Sequence, residues 1–234
     1  RARHGRRSEE ANLLSLADAR RNRTPVAWLA PPPKPTFLGT RVIDDLPLAE
    51  LLPYIDWMPF FNAYEFRGTY PAILNDEVFG EAARDLFKDA QDLLAKVVAE
   101  GWLRARAVVG FWPAARDGDD DIALWADDER RERVATLHHL RQQKPLADTL
   151  PNACLADFVA PAEAGRRDYL GAFAVTAGLG IEPHVAAFER AHDDYSSIML
   201  KALADRLAEA GAEYLHARVR RVWWGYVPDD ALSI

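Results

Sequence analysis

The chain has 234 residues, of which 49% are hydrophobic and 28% are charged. This balance is typical of a globular protein with a sizeable core, and it excludes a disordered chain. The formal net charge of −7 argues against general nucleic-acid affinity, which requires a basic surface. The same charge is compatible with a cationic small molecule or a basic partner.

Cys154 is the single cysteine, which excludes an internal disulfide and argues against a cysteine-based zinc site. A reducing, cytoplasmic location is therefore the expectation. No run of about eighteen apolar residues is present, so no membrane-spanning segment is expected. The basic N-terminal stretch has no apolar segment behind it and does not resemble a secretory signal.

The first forty residues differ in composition from the rest of the chain. Residues 1–23 are rich in charged side chains, and the prolines within 31–35 fix φ and lack backbone donors. This pattern predicts an extended connector. We interpret residues 1–40 as a linker or arm and residues 41–234 as the folded body. Since the sequence has no initiator Met, we expect a piece of a longer polypeptide.

Helical periodicity is clearest in three stretches. Residues 76–101 predict a helix that Gly101 closes, and residues 128–143 predict a second one. The long stretch 192–226 predicts a third. The buried stripe of the first is predicted to be Val78, Ala82, Leu86, Ala90 and Leu93. The apolar side of the third is predicted to be Leu200, Leu203, Leu207, Ala210 and Tyr214.

Strand-like runs lie between these helices. RARAVVGFWPA (104–114) and DIALWAD (121–127) predict an antiparallel hairpin, and ACLADFVAP (153–161) with RDYLGAFAVTAG (167–178) predict a second pair of strands. The glycines of TAGLG predict a cap between the last strand and the next helix. Helices mixed with hairpins, rather than alternating βα units, predict an α+β fold in which an antiparallel sheet of hairpins packs against long helices.

Three isolated acids stand in mainly apolar surroundings. Asp56 lies between Ile55 and Trp57 and must be paired, hydrogen-bonded or directed into a cleft, because an isolated buried charge is very unfavourable. A helix cap or a salt bridge is the simpler interpretation of Asp56. Asp157 and Asp168 lie on predicted strands, where structural pairing is the favoured interpretation.

A ladder of three acids occupies another side of the long C-terminal helix. Asp205, Glu209 and Glu213 are four residues apart, which stacks their carboxylates along the helix. The simpler interpretation is a solvated face. The alternative is that one of these carboxylates faces a groove and binds a cationic ligand.

No catalytic residue and no metal site are predicted. His138 and His139 are adjacent and point to different sides of a helix, so they are not expected to share a metal. The acids of His192-Asp193-Asp194 suit the positive end of a helix dipole. The sequence contains no G-x-G-x-x-G motif, P-loop or nucleophile elbow.

A series of short phrases, in order from about residue 54 to residue 228, resembles one family: the C-terminal activation domain of cobalamin-dependent methionine synthase. The phrases are Ile55-Asp56-Trp57 with Pro59-Phe60-Phe61, Tyr70-Pro71 with Ile73-Leu74, Asp76-Glu77-Val78, Leu86-Phe87-Lys88-Asp89-Ala90, Val108-Val109-Gly110, His138-His139-Leu140-Arg141-Gln142-Gln143, the run from Cys154 to Pro161, Asp168-Tyr169, the run from Gly171 to Thr176, His192-Asp193-Asp194-Tyr195, the run from Lys201 to Ala210 and Trp224-Gly225-Tyr226.

The resemblance implies a domain that binds S-adenosylmethionine in a groove and helps to restore oxidised cobalamin. Another domain of the enzyme would hold the cobalamin, and residues 1–40 would lead in from that cobalamin-binding domain. Flavodoxin or a flavoprotein reductase would supply the electron. Two family contacts fall on matching positions. Asp56 resembles the carboxylate that receives the amino group of the ligand, and Glu209 resembles a second acidic contact.

The sequence departs from the family in one respect. An Arg-Pro-Ala-Pro-Gly-Tyr-Pro motif, expected after Trp224-Gly225-Tyr226, is absent. We therefore expect a C-terminally incomplete activation domain with weakened ligand binding and no methyltransferase activity by itself. The alternative hypothesis is an interaction module that docks on a cobalamin domain or flavodoxin without any ligand.

Overall fold

The computed structural model describes residues 13–147 and 150–227. These residues form two compact units. The first comprises the described residues up to Gly39 together with Phe111–Gly171, and the second comprises Thr40–Gly110 and the described residues from Ala172 onward. In the described part of the chain, no helix is long and apolar enough to cross a membrane.

Helices and strands are mixed along the chain. The helices are α1 (Leu16–Arg21), α2 (Leu48–Leu51), α3 (Met58–Ala63), α4 (Gly80–Glu100), α5 (Ile181–Arg190) and α6 (Asp194–Arg218), and a π-helical turn (Val219–Trp223) continues α6. The strands are β1 (Gly39–Leu46), β2 (Arg104–Asp117), β3 (Asp121–Trp125), β4 (Arg133–His138) and β5 (Asp168–Leu179). Short 3-10 turns lie at Leu52–Tyr54, Ala72–Asn75, Leu155–Phe158 and Ala162–Ala164.

The five strands form one sheet in the order β1-β2-β3-β4, and β5 also pairs with β2. The predicted β2–β3 hairpin is confirmed, with Ala114 opposite Leu124 in an antiparallel register. The next pairing, β3–β4, is antiparallel as well and sets Ile122 opposite Leu137. Strand β5 is confirmed, and so is the predicted α+β class.

The core of the second unit forms around α6. Its predicted apolar side is confirmed, since Leu200, Leu203, Leu207 and Ala210 are buried. Tyr214 is half-buried and packs against the same core. Burial of four such side chains stabilises the fold by several kcal/mol, at roughly 25 cal/mol per Å² of apolar surface.

Helix α4 is confirmed, but part of its predicted stripe is wrong. The buried positions are Ala83, Leu86, Ala90, Leu94 and Val97. Val78 is 80% exposed, Ala82 is exposed and Leu93 is half-buried. Val78 precedes the helix, which begins at Gly80, because the Asp76 carboxylate accepts hydrogen bonds from the N–H groups of Val78 and Phe79 and holds Val78 in the capping turn. Gly101 closes the helix in the left-handed region, as predicted.

Two secondary-structure predictions in the first unit are wrong. Residues 128–143 contain strand β4 rather than a helix, because pairing with β3 overrides the helix propensity of the charged run DERRER. Ala135 and Leu137, two residues apart as on one face of a strand, pack against the core of this unit. Residues 153–161 contain a 3-10 turn rather than a strand.

A buried arginine accounts for that turn. Arg141 donates two hydrogen bonds of 2.8 Å to the two oxygens of the Asp157 carboxylate and one of 2.7 Å to Asp120. The same Asp157 carboxylate accepts the N–H of Cys154 and caps the turn. Asp157 is therefore paired, in agreement with the structural interpretation. Asp168 is hydrogen-bonded too, since its carboxylate accepts the N–H groups of two residues, at positions 160 and 169.

The N-terminal segment is attached to this cluster. Arg20 donates to Asp120, the side chain of Asn22 donates to Asn152, and the N–H of Thr24 donates to Asp157. Residues 22–35 contain neither helix nor strand, as an extended connector requires. The assignment of residues 1–40 as an interdomain linker stays a prediction.

We expect Arg141→Met to lower the free energy of unfolding by about 3–5 kcal/mol, because the buried Asp157 carboxylate loses its cation and Asp120 is left with Arg20. Urea unfolding at pH 7 measures this effect. Arg131→Met is the matched control, since the Arg131 side chain is 74% exposed and its removal is expected to change stability by less than about 1 kcal/mol. Equal losses in both variants would contradict the importance of the buried pair.

The loss of stability at acidic pH should depend on the same ion pair, Arg141 with Asp157. Burial opposes the charged form of Asp157, but hydrogen bonds from Arg141 and Cys154 outweigh it and lower the pKa of Asp157 below its ordinary value of 3.8. The stabilisation is therefore complete above that ordinary value and is lost as the pH falls through the lower folded-state pKa. We expect this part of the acid dependence to be absent in Arg141→Met, as urea midpoints between pH 2 and pH 5 would show.

The predicted glycine cap before α5 is confirmed at Gly180. Its φ is +96°, and an added Cβ would lie 2.9 Å from the carbonyl oxygen of Trp102. We expect Gly180→Ala to destabilise the protein by about 2 kcal/mol, because both the backbone conformation and the contact disfavour a side chain. Gly178→Ala is the control, because its Cβ would meet Ala204 at an ordinary 3.9 Å. Thermal unfolding that shows equal melting temperatures for the two variants would contradict the expectation.

Candidate functional site

A cavity of about 350 Å³ opens in the second unit, between the chain that leads into α3 and the C-terminal part of α6. Its lining combines aromatic rings with two carboxylates. The lining residues are Pro53, Tyr54, Ile55, Asp56, Trp57, Tyr70 and Glu213.

Asp56 is held at this cavity by local structure. The chain is extended at Ile55 after the 3-10 turn, and α3 begins at Met58 with Pro59 in its first turn. The Asp56 carboxylate accepts the N–H of Met58 at 2.9 Å, a hydrogen bond that Asp side chains commonly make to the backbone two residues on. Asp56 is thus both hydrogen-bonded like a cap and directed to a cavity, so the two interpretations of this residue are compatible.

A cluster of aromatic rings fixes one wall. Trp57 makes edge-to-face contacts with Phe60 at 5.6 Å and with Phe87 at 4.8 Å between ring centroids. Tyr70 lies 5.6 Å from Phe87 and stacks on Phe61 at 6.2 Å. Since such pairs stabilise one another and Phe60 and Phe61 are fully buried, the wall is preorganised by the core beneath it.

A second aromatic pair supports the opposite side. Tyr54 packs edge-to-face on Tyr214 of α6, with 5.7 Å between ring centroids. The Tyr214 hydroxyl donates a hydrogen bond to the Glu50 carboxylate. Burial, together with this carboxylate, raises the pKa of Tyr214 and keeps the phenol neutral at physiological pH. The Tyr54 ring is therefore tied to the turn of α6 that contains Glu213 and Tyr214.

The three acids of the α6 ladder differ in their partners. Arg206, whose side chain is only 7% exposed, donates hydrogen bonds to Asp205 at 2.6 Å and to Glu209. Burial disfavours the charge of Arg206, but these hydrogen bonds outweigh it and raise the pKa of its guanidinium. Glu213 makes no ion pair or hydrogen bond to another residue of the described chain. Its carboxylate lines the cavity instead.

The structure therefore brings Asp56 together with Glu213. Glu209, which the sequence favoured, lies one helical turn earlier, is paired with Arg206 and is not among the residues that line the cavity. Its role as a ligand contact stays a prediction. Glu213 is exposed, as a solvated face requires, but spacing alone cannot tell which turn of the helix meets the Ile55–Trp57 segment.

The electrostatic character of the cavity suits a cation. Asp56 has no ion pair within the part of the chain that is described, and neither does Glu213, so two negative charges face one cavity without a protein counter-ion. Aromatic ring faces carry negative charge density and attract cations as well. No group of three or more potential metal ligands occurs in the described ranges.

Two other cavities have different chemistry. One of about 550 Å³ in the first unit is lined by Arg20, Arg21, Arg23 and one acid, Asp119, so its arginines repel a cation. One of about 400 Å³ in the second unit is lined mainly by apolar residues of β1, β2 and β5, together with Arg106. Neither contains an acid without a partner.

Known proteins are similar to this chain over most of its length. Residues 47–234 match the family described as vitamin B12 dependent methionine synthase, activation domain. A crystal structure of the MetH reactivation domain bound to AdoHcy is 50% identical in sequence, with a TM-score of 0.89, and the match covers 94% of this chain and 67% of that chain.

This similarity confirms the predicted resemblance and the predicted fold class. The family match extends over residues 47–234, and the related structure shares the fold at 50% sequence identity, so both findings point to the same family. The chain belongs to the family of activation domains of vitamin B12-dependent methionine synthase.

Proposed function

We propose that this chain is the S-adenosylmethionine-binding reactivation module of a cobalamin-dependent methionine synthase. In that role it supports the reductive methylation of cob(II)alamin to methylcobalamin and serves methionine biosynthesis in the cytoplasm. The observation that carries the proposal is the cavity lined by aromatic rings and by Asp56. The Asp56 carboxylate has no ion-pair partner among the described residues. The related reactivation domain bound to AdoHcy supports a ligand of this class.

The ligand matches the charges of the cavity. S-adenosylmethionine carries a positive sulfonium group and a positive α-ammonium group. The Asp56 carboxylate, oriented by the N–H of Met58, has a free oxygen that can accept hydrogen bonds from the ammonium. A charge-assisted hydrogen bond of this kind contributes roughly 1.5–3 kcal/mol.

Glu209 is the second proposed contact. Its side chain is 62% exposed and is joined to the buried Arg206, so the carboxylate is held in place rather than free to rotate. We propose that one oxygen stays with Arg206 while the other faces the ligand. The net attraction from Glu209 is then smaller than that from Asp56, because Arg206 already neutralises much of its charge.

The part of this chain in the reaction is binding and orientation. Cobalamin, which another domain of the enzyme would hold and flavodoxin or a flavoprotein reductase would reduce, would supply the methyl-accepting cobalt, and S-adenosylhomocysteine would be the coproduct. The carboxylates hold the sulfonium ligand, and the rings of Trp57 and Tyr70 exclude water beside it. No described residue is placed as a nucleophile or a general base, so we expect no methylation of homocysteine by the chain alone.

Asp56→Asn tests the proposal. We expect S-adenosylmethionine to bind the 234-residue chain in isothermal titration and the substitution to weaken binding by about 10- to 100-fold, because the ammonium loses its charged acceptor. The fold should survive, since the oxygen of an Asn side chain can still accept the N–H of Met58. Asp92→Asn, which removes one exposed negative charge from α4, is the control and should bind normally.

Two results would contradict the proposal. Unchanged affinity in Asp56→Asn would exclude Asp56 as a ligand contact. No heat with the wild-type chain, together with binding to an isolated cobalamin-binding domain or to flavodoxin, would favour a ligand-free interaction module.

A further inference from the structure

We infer that Glu213 is a specificity-determining residue of the cavity, whose carboxylate recognises the sulfonium charge and makes the site prefer S-adenosylmethionine to S-adenosylhomocysteine. The inference rests on the proposed function and goes beyond it, because it concerns discrimination between two ligands of nearly the same shape. They differ by one methyl group and by the positive charge on sulfur.

The first step of the argument is the state of the three acids on α6. Asp205 and Glu209 share Arg206, so their charges are largely compensated within the protein. Glu213 is exposed and has no cationic partner among the residues that the structure describes. Of the three, only Glu213 lines the cavity. It is therefore the acid of this helix whose full charge acts on a bound molecule.

The second step is that the two carboxylates recognise different groups of the ligand. One oxygen of the Asp56 carboxylate accepts the N–H of Met58, which fixes the orientation of the side chain. The other oxygen can accept a hydrogen bond from the N–H groups of the α-ammonium. A sulfonium has no N–H or O–H and cannot use such a geometry. A sulfonium is recognised instead by a negative charge and by aromatic rings. At this cavity Glu213 provides the charge, and Tyr54 and Trp57 provide the rings.

The third step concerns the size of the effect. Because Glu213 is exposed, water screens its interaction with the sulfonium, and the attraction is moderate rather than large. An exposed carboxylate is also well hydrated when the cavity is empty, so it can remain unpaired without destabilising the fold. We therefore expect a discrimination of about 5- to 20-fold from this residue.

The test is to titrate S-adenosylmethionine and S-adenosylhomocysteine separately into the 234-residue chain and its variants. In Glu213→Gln we expect the Kd for S-adenosylmethionine to rise about 5- to 20-fold, while the Kd for S-adenosylhomocysteine changes less than about 2-fold. In Asp56→Asn we expect both ligands to weaken alike, since both contain the α-ammonium. The control Asp92→Asn should change neither Kd.

Further measurements separate charge from structure. Gln propagates a helix nearly as well as Glu, so the thermal midpoint of Glu213→Gln should match that of the wild type. Glu213→Asp keeps the charge and should retain part of the preference. Raising the salt concentration should reduce the preference in the wild-type chain and have little effect on it in Glu213→Gln, because salt screens exposed charges.

The possible outcomes are distinct. If the wild-type chain binds neither ligand, the proposed function fails and this inference fails with it. If both ligands bind but Glu213→Gln weakens them equally, or weakens neither, the inference is overturned while the proposed function stands. A selective loss for S-adenosylmethionine supports both.

Discussion

Burial of the apolar side of α6 is the interaction on which the second unit depends. Leu200, Leu203 and Leu207 are almost completely buried in its core, and the same helix contacts α2, α3, α4 and the turn Leu52–Tyr54. Gly211 allows a close approach to β5, because a Cβ at that position would lie 2.9 Å from a side-chain carbon of Val175. Glu213 follows two residues later, so the packing that stabilises the unit also sets the position of one cavity wall.

The acids of this protein fall into two groups that physical chemistry distinguishes clearly. Asp157 and Asp120 are buried beside Arg141, and they must be paired there because a buried charge without a partner is strongly destabilising. Asp56 and Glu213 lie at an open cavity, where water can hydrate them until a ligand arrives. Pairing inside the first unit therefore serves the fold, and the lack of protein partners at the cavity is what makes it suitable for an organic cation.

Local patterns predicted the elements whose state is decided locally. The periodicity of α4 and α6, the β2–β3 hairpin and the glycine before α5 all rest on residues close in sequence. The stretch around β4 failed because its state depends on pairing with β3. The stretch 153–161 failed because Asp157 is bound by Arg141, sixteen residues earlier in the chain. Contacts of that kind are not visible in local periodicity.

The candidate site likewise combines a residue that local sequence can single out with residues whose state depends on tertiary contacts. Asp56 could be singled out because an acid among aromatic residues requires an explanation, whatever the fold. Glu209 and Glu213 could not be separated by spacing, since residues four apart on a helix share one side. Their difference arises from Arg206, which is nearly buried and lies close enough to pair with one of them. A tertiary contact, rather than the carboxylate pattern itself, decides which charge remains available.

On the proposed function, an unpaired Glu213 also has a consequence for the order of events. While the methyl group is on sulfur, the sulfonium and the α-ammonium of the ligand would face two carboxylates of the cavity, and the ligand's own α-carboxylate would offset one of its positive charges. After transfer, the sulfur is neutral and Glu213 is again without a counter-ion, so the product is held less tightly than the methyl donor. A change in affinity between the donor-bound and product-bound states favours loading of the donor and release of the product, although it does not accelerate the transfer itself. A carboxylate that recognises the charge on sulfur would make such a change, whereas Asp56, as the proposed contact of the constant α-ammonium, would bind both states alike.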